Sequence, residues 1–193
     1  AISKDAIVVY NNRLAKIPTN DLLKPRTGEV RLVDTDGNNK YDIVYVTSYK
    51  NYVVDGVGQS SKTIMCTGGY RIELGKEEPN FSYSIKLATG QNLKIDDIRK
   101  MDVVAVAEST DKLYAEVVVV RNKVTGEVSG IADDEVTIGD QVYEISEEYV
   151  GTSITLNSKG DFYLDFSNKI IYFDKAMTTD RKYGYIMKRG MEK

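Results

Sequence analysis

The sequence predicts an all-β protein, made mainly of antiparallel hairpins in small barrel or sandwich units, with two or three short helical turns. Three observations carry that prediction. Apolar residues alternate with period two, most cleanly as Phe81, Tyr83, Ile85 and Leu87 in FSYSIKL, so every second side chain faces one way as in a strand. Short runs of this kind recur along the chain, separated by Asn, Asp and Gly clusters that favour turns. The 14 tyrosines suit half-buried strand positions.

Taken in order, residues 5–10 (DAIVVY) form a strand, and Asn11-Asn12-Arg13 turns it into a first hairpin. Thr19 to Leu23 reads as a short capped helical turn between Pro18 and Pro25, its leucines plugging one end of a sheet. Val30 to Tyr49 is the central hairpin, with Val30 and Leu32 before a polar tip and Ile43, Tyr45 and Thr47 after it. Strand continues to Asp55, and Gly56, Gly58 and Ser60-Ser61 mark a loop and a candidate boundary. Thr63 to Leu74 is apolar but interrupted by Gly68-Gly69, and a turn over 77–80 precedes the Phe81–Leu87 strand.

Thr89 to Asn92 is a hairpin-type turn, and Leu93 to Met101 is expected as a short helix capped by Asp96 with Ile98 and Met101 inward. Residues 102–107 and 113–120 form an apolar strand pair in which continuous Val117 to Val120 predicts burial on both faces. From Asn122 onward, short strands at 123–128, 135–138 and 141–145, closed by a hairpin over 162–173, indicate a small barrel or sandwich. Residues 174–180 read as linker and 183–187 as one more strand. The division is therefore 1–121 for a β module with an Asp-rich hairpin, 122–175 for a small barrel-like module, and 176–193 for a linker and a first strand of a following module. Thr27-Gly28-Glu29-Val30 recurs as Thr125-Gly126-Glu127-Val128, each time as a turn-to-strand signal.

The sharpest chemical signal is the hairpin tip, Asp34-Thr35-Asp36-Gly37-Asn38-Asn39-Lys40-Tyr41-Asp42. Alternating oxygen-bearing residues let a tight loop gather ligands around a hard cation such as Ca2+. The candidate metal ligands are the side chains of Asp34, Asp36, Asn38 and Asp42 and the carbonyl of Lys40. An EF-hand is excluded, because its sixth and twelfth positions require Gly and a bidentate acid and here hold Asn39 and Tyr45. The same residue types also accumulate in turns with no metal, through local side-chain bonds and tolerance of left-handed backbone.

Composition narrows the function further. A net charge of -3 and a pI near 5.2 argue against a nonspecific nucleic-acid binder, which needs a basic surface. No apolar run reaches membrane-spanning length, and the first residues carry no signal peptide pattern. The chain has no histidine, which removes imidazole-dependent triads, His metal ligands and a His pH switch. It has no tryptophan either, so a glycan platform would have to use tyrosines. Cys66 is the single cysteine and cannot form an intramolecular disulfide. Its apolar context, Ile64-Met65-Cys66-Thr67, marks it as a buried hydrophobe rather than a nucleophile. The adjacent acids Asp96-Asp97, Asp133-Asp134 and Glu147-Glu148 point in different directions on any element and read as turn, cap and solvent positions.

Several stretches together resemble a module of bacterial surface-layer and S-layer-homology-domain proteins of spore-forming Gram-positive bacteria. They are GEVRLVDTDGNNKYDIVYVTSYKNYVVD, LKIDDIRKMDVVAVAEST, LYAEVVVVRNKVTGEVSGI, DDEVTIGDQVYEI and GDFYLDFSNKIIYFD, in the family's order over most of residues 5–187. The family's central loop looks like Asp-x-Asp-Gly-Asp-Gly-Lys-Tyr-Asp; Asn38 and Asn39 here replace an acid and a glycine and remove one charge. The stretch Lys182 to Ile186 resembles the opening strand of a following module, implying a longer array. The resemblance brings no catalytic residues. It implies an extracellular, cell-surface module with a structural, assembly or adhesive role, whose partners are other copies, neighbouring modules or a cell-wall polymer. Two other functions are set against it: recognition of cell-wall glycan or protein through Tyr41, Tyr45, Tyr49 or Tyr52, and hydrolysis by two facing carboxylates.

Overall fold

A computed structural model describes residues 1–15 and 19–176. Strands take up 57% of it and helical turns 6%, which makes the chain all-β as its alternation predicts. The strands form three sheets.

The first sheet has the order β2-β1-β4-β3, from β1 (Ile2–Tyr10), β2 (Arg13–Leu14), β3 (Gly28–Val33) and β4 (Tyr41–Ser48). Asn11 and Asn12 both adopt positive φ, which Asn tolerates, and this closes the tight β1–β2 hairpin. β3 and β4 form the central hairpin, in continuous register from Gly28↔Ser48 to Val33↔Ile43. β1 lies parallel to β4, so the sheet is not a simple meander. Val8, Val44 and Val46 are its buried centre, and Leu23 from the 3-10 turn Asn20–Leu23 packs over them. Thr19 takes the cap position of that turn without a side-chain bond.

The second sheet has six strands in the order β7-β6-β5-β9-β10-β8. These are β5 (Lys50–Gly58), β6 (Thr63–Cys66), β7 (Arg71–Glu73), β8 (Ser82–Leu87), β9 (Val103–Glu108) and β10 (Tyr114–Val120). Two expectations fail here. Gly56 and Gly58 do not mark a boundary: β5 runs through them with a register shift between Val54 and Gly56, and β6 folds straight back onto it. Glycine inside a strand marks a bulge as readily as a loop. Residues 93–101 hold a single 3-10 turn, Ile95–Asp97, instead of a helix. Its cap position is Lys94, whose N–H donates to the Asp97 carboxylate at 2.8 Å, and Asp96 caps nothing. Neighbouring strands claim the rest of that backbone: Leu93 N–H donates to the Ile85 carbonyl, and Met101 N–H to that of Val54. Nine residues cannot win that competition as an isolated helix.

The third unit is a closed five-stranded barrel of β11 (Lys123–Ala132), β12 (Glu135–Ile138), β13 (Gln141–Gly151), β14 (Lys159–Leu164) and β15 (Ile170–Lys175), in the order β11-β12-β13-β15-β14. β13 and β15 run parallel. Its interior is Val128, Val136, Ile138, Phe162, Leu164, Ile170 and Phe173, with the two phenylalanine rings stacked at 4.6 Å. The two Thr-Gly-Glu-Val copies serve different ends. The first opens β3, where a Cβ on Gly28 would lie 1.9 Å from the Thr47 carbonyl oxygen; the second sits inside β11. Asp174 and Lys175 belong to β15 and are strand, not linker; the rest of the expected linker from residue 177 and the strand expected at 183–187 lie outside the described residues.

Val117 to Val120 are indeed buried on both faces of β10. Val117 and Val119 join the main core with Val54, Ile64 and Val104. On the opposite face, Val53, Val103 and Val120 close over Ile171 of the barrel.

Candidate functional site

The Asp34–Asp42 tip connects β3 to β4 and is held together by its own side chains. The two carboxylate oxygens of Asp34 accept the N–H groups of Gly37 (2.8 Å) and Asn39 (2.9 Å). Asp36 accepts the Asn38 N–H and side-chain amide, and the Asn38 side-chain oxygen accepts the Lys40 N–H at 2.8 Å. Asp42 accepts both the N–H and the hydroxyl of Thr35. Gly37 and Asn39 supply the left-handed backbone that lets nine residues double back.

The fold therefore brings three of the five expected ligands together. Asp34, Asp36 and Asp42 each present a carboxylate oxygen within 4.8 Å of the others. Oxygens bound to one Ca2+ at about 2.4 Å can be separated by at most roughly that distance. A carboxylate oxygen that accepts one N–H keeps a further lone pair for an ion. Asn38 is engaged with Lys40 inside the loop, and no hydrogen bond marks the Lys40 carbonyl as part of the cluster. Desolvation pulls the Asp34 carboxyl upward, and the N–H groups of Gly37, Asn39 and Asp36 outweigh it and leave it below the ordinary carboxylate range. The Asp34 carboxylate thus stays ionised near neutrality. The same geometry describes three turn carboxylates satisfied by main-chain donors, the second account the sequence allows.

The four tyrosines do not form one platform. Tyr41 is exposed, Tyr45 lies under the Arg31 guanidinium at 4.8 Å, and Tyr49 is half-buried with its hydroxyl donating to Glu116 at 2.6 Å. Tyr52 stacks flat on Tyr70, with centroids 4.3 Å apart. Burial, then the Tyr70 hydroxyl, raises the Tyr52 phenol above its ordinary range. This pair borders a cleft of about 340 Å³ between the first two sheets, lined also by Lys50, Arg71, Lys76, Glu108 and Lys112. Glu108 pairs with both Lys76 and Lys112. The cleft was invisible in the sequence, since Tyr70 and Lys112 come from turns far apart in the chain.

Cys66 is buried, and burial pushes its thiol up to about 12, so it holds no thiolate at neutral pH. Two of the three acid pairs stay at turns: Asp97 caps its 3-10 turn and Asp133 takes positive φ between β11 and β12. Glu147-Glu148 is different. Glu147 reaches Arg26 of the first unit, and Glu148 accepts the main-chain N–H and side-chain amide of Asn51, both at 2.8 Å.

Asn51 and Asn11 are the two buried asparagines, each 3% exposed, and each sits where two sheets meet. The Asn11 amide donates to the carbonyls of Ser48 (3.2 Å) and Glu108 (2.8 Å) and accepts the Ser48 N–H, tying β4 to β9. Beside it, Arg13 pairs with Asp111 at 2.6 Å. Asn51 ties β5 to β13 through Glu148 and accepts the Phe166 N–H of the β14–β15 turn at 3.4 Å. No buried side-chain polar atom among the described residues lacks a partner.

No helix among the described residues is long and apolar enough to cross a membrane. No protein-family model, curated protein or solved structure matches the chain.

Proposed function

We propose that the chain is a non-enzymatic structural module of a bacterial cell-surface protein, a β scaffold that spaces, assembles or displays neighbouring parts. The observation that carries this reading is the coupling of the three sheets to one another. At each junction a buried asparagine bonds through both its side-chain nitrogen and its side-chain oxygen, and Ile171 adds an apolar contact at the second. Buried polar groups that are fully satisfied fix one arrangement of the parts they join. A scaffold needs that fixed arrangement more than it needs a reactive side chain. The resemblance to surface-layer modules supports an extracellular setting, where Ca2+ is plentiful enough to fill a weak Asp34–Asp42 site and stiffen the hairpin.

Two assays test the reading. Antibody against the chain should label intact cells of the source bacterium, and the purified protein should release no products from peptidoglycan or a polysaccharide panel. Catalytic turnover on any of these would sink the non-enzymatic reading; labelling only after lysis would sink the surface one.

The Tyr52–Tyr70 cleft favours a second reading, recognition of a cell-wall glycan or a protein. An exposed aromatic face beside polar groups suits a sugar ring. Binding of a glycan fragment that is lost in Tyr70→Ala would support it, and equal binding by that variant would remove it.

A further inference from the structure

We infer that the open edge of β3 pairs with the same edge of a second copy of this chain, antiparallel and centred on Val30. This goes beyond the scaffold reading, because it names a contact that holds whatever the module carries.

The open edge follows from the hydrogen-bond parity of the hairpin. Thr27 accepts the Tyr49 N–H, and Gly28 stands opposite Ser48, so the odd residues of β3 bond to β4. Residues 28, 30 and 32 therefore turn their N–H and C=O groups away from the sheet. No described residue takes them up: β3 is the end strand of its sheet and pairs with β4 alone. The other sheet edges are short or covered among the described residues. β2 and β7 have two and three residues, and the returning chain at Gln91 to Leu93 covers β8 from Ile85 to Leu87, leaving three residues open. β3 is six residues long and carries neither proline nor a bulge, two of the devices against edge pairing; its charges, Glu29 and Arg31, are of opposite sign.

The strand is complementary to itself. Antiparallel pairing about Val30 sets Val30 against Val30 of the second copy, and Gly28 against Leu32, as hydrogen-bonded pairs. The same register sets Glu29 against Arg31 twice, in the closely spaced non-hydrogen-bonded positions where opposite charges stabilise and like charges destabilise. Val30 and Leu32 are each 39% exposed and stand beside the buried Val46 and Val44, so the pairing extends the apolar face of one sheet into the next. The contact is isologous and closes at two copies. An edge of five or six residues buries little area, so a dimer in the ten-to-hundred micromolar range is expected.

Sedimentation equilibrium of the full 193-residue chain, from micromolar to about 1 mM, tests the pairing. The wild type should dimerise. Glu29→Arg and Arg31→Glu, each placing like charges opposite one another, should weaken the dimer at least tenfold, while a mixture of the two variants should form heterodimers. Val30→Pro, which removes only an outward N–H, should abolish pairing. Circular dichroism and melting of each variant separate a lost contact from a lost fold. A wild type that stays monomeric, single variants that dimerise as well as it does, or a mixture that stays monomeric would overturn the proposal. None of those results touches the sheet junctions, so failure here is distinct from failure of the scaffold reading.

Discussion

Asn51 meets Glu148 with two donors at once: its main-chain N–H and its side-chain amide each lie 2.8 Å from the same carboxylate oxygen, across the junction between the six-stranded sheet and the barrel. Asn51→Ala removes one donor to a charged acceptor and leaves the Phe166 N–H unpaired. The expected cost is about 2–3 kcal/mol. Urea unfolding should show a lower midpoint, together with a barrel transition that separates from that of the sheet. A variant as stable and as cooperative as the wild type would show that the bridge couples nothing.

Acid should weaken the first junction in a defined window. Desolvation pushes the Asp111 carboxyl up, and the Ser109 hydroxyl, the Leu113 N–H and the Arg13 guanidinium together bring it down to about 2. Its folded value thus lies below the unfolded value of about 3.9, so its stabilisation is complete above that pH and drains away as pH falls toward 2. Glu108 shifts the same way: desolvation opposes, and Lys112 and Lys76 outweigh it. Melting temperature should be flat from pH 7 to about 5 and fall steeply between about 4 and 2. Carboxyl NMR titration of Arg13→Gln should return Asp111 toward its ordinary value; an unmoved titration would contradict the ion pair's role.

Most of the fold was legible because burial demanded it. Phe81, Tyr83, Ile85 and Leu87 alternate because one face packs into the main core, and Val117 to Val120 lack alternation because β10 is covered on both sides. What was illegible depends on partners distant in the chain. The extended backbone at 93–101 is set by the Ile85 and Val54 carbonyls, which local propensity does not contain. Glu147-Glu148 looked like a solvent pair, since nothing near it announces that Asn51, 97 residues away, needs an acceptor. The tip was the reverse case: its bonds span two to seven residues, so Asp34, Asp36 and Asp42 could be grouped from spacing alone.

Cys66 should behave as a core side chain. It is 4% exposed and its thiol sits at about 12 through burial, so a thiol reagent at pH 8 should leave the folded protein unmodified and label it fully in denaturant. Rapid labelling of the folded chain would contradict that placement.

Calcium offers a direct test of the hairpin. An ion that binds the folded tip must raise its apparent stability, so millimolar Ca2+ should lift the melting temperature by about 2–4 °C over chelator. Asp36→Ala should abolish the rise. No shift, or one that survives the substitution, leaves the Asp34–Asp42 carboxylates as turn chemistry alone.

The central claim is that three sheets are joined into one scaffold, and native-state hydrogen exchange at increasing urea reads it most directly. Amides of Val44, Val117 and Phe162 lie in the buried centres of the three units. If the junctions couple the units, the slowest amides of all three converge on one opening free energy with one denaturant dependence. Three separate free energies that persist unchanged in Asn51→Ala would mean independent beads on a string and contradict the account.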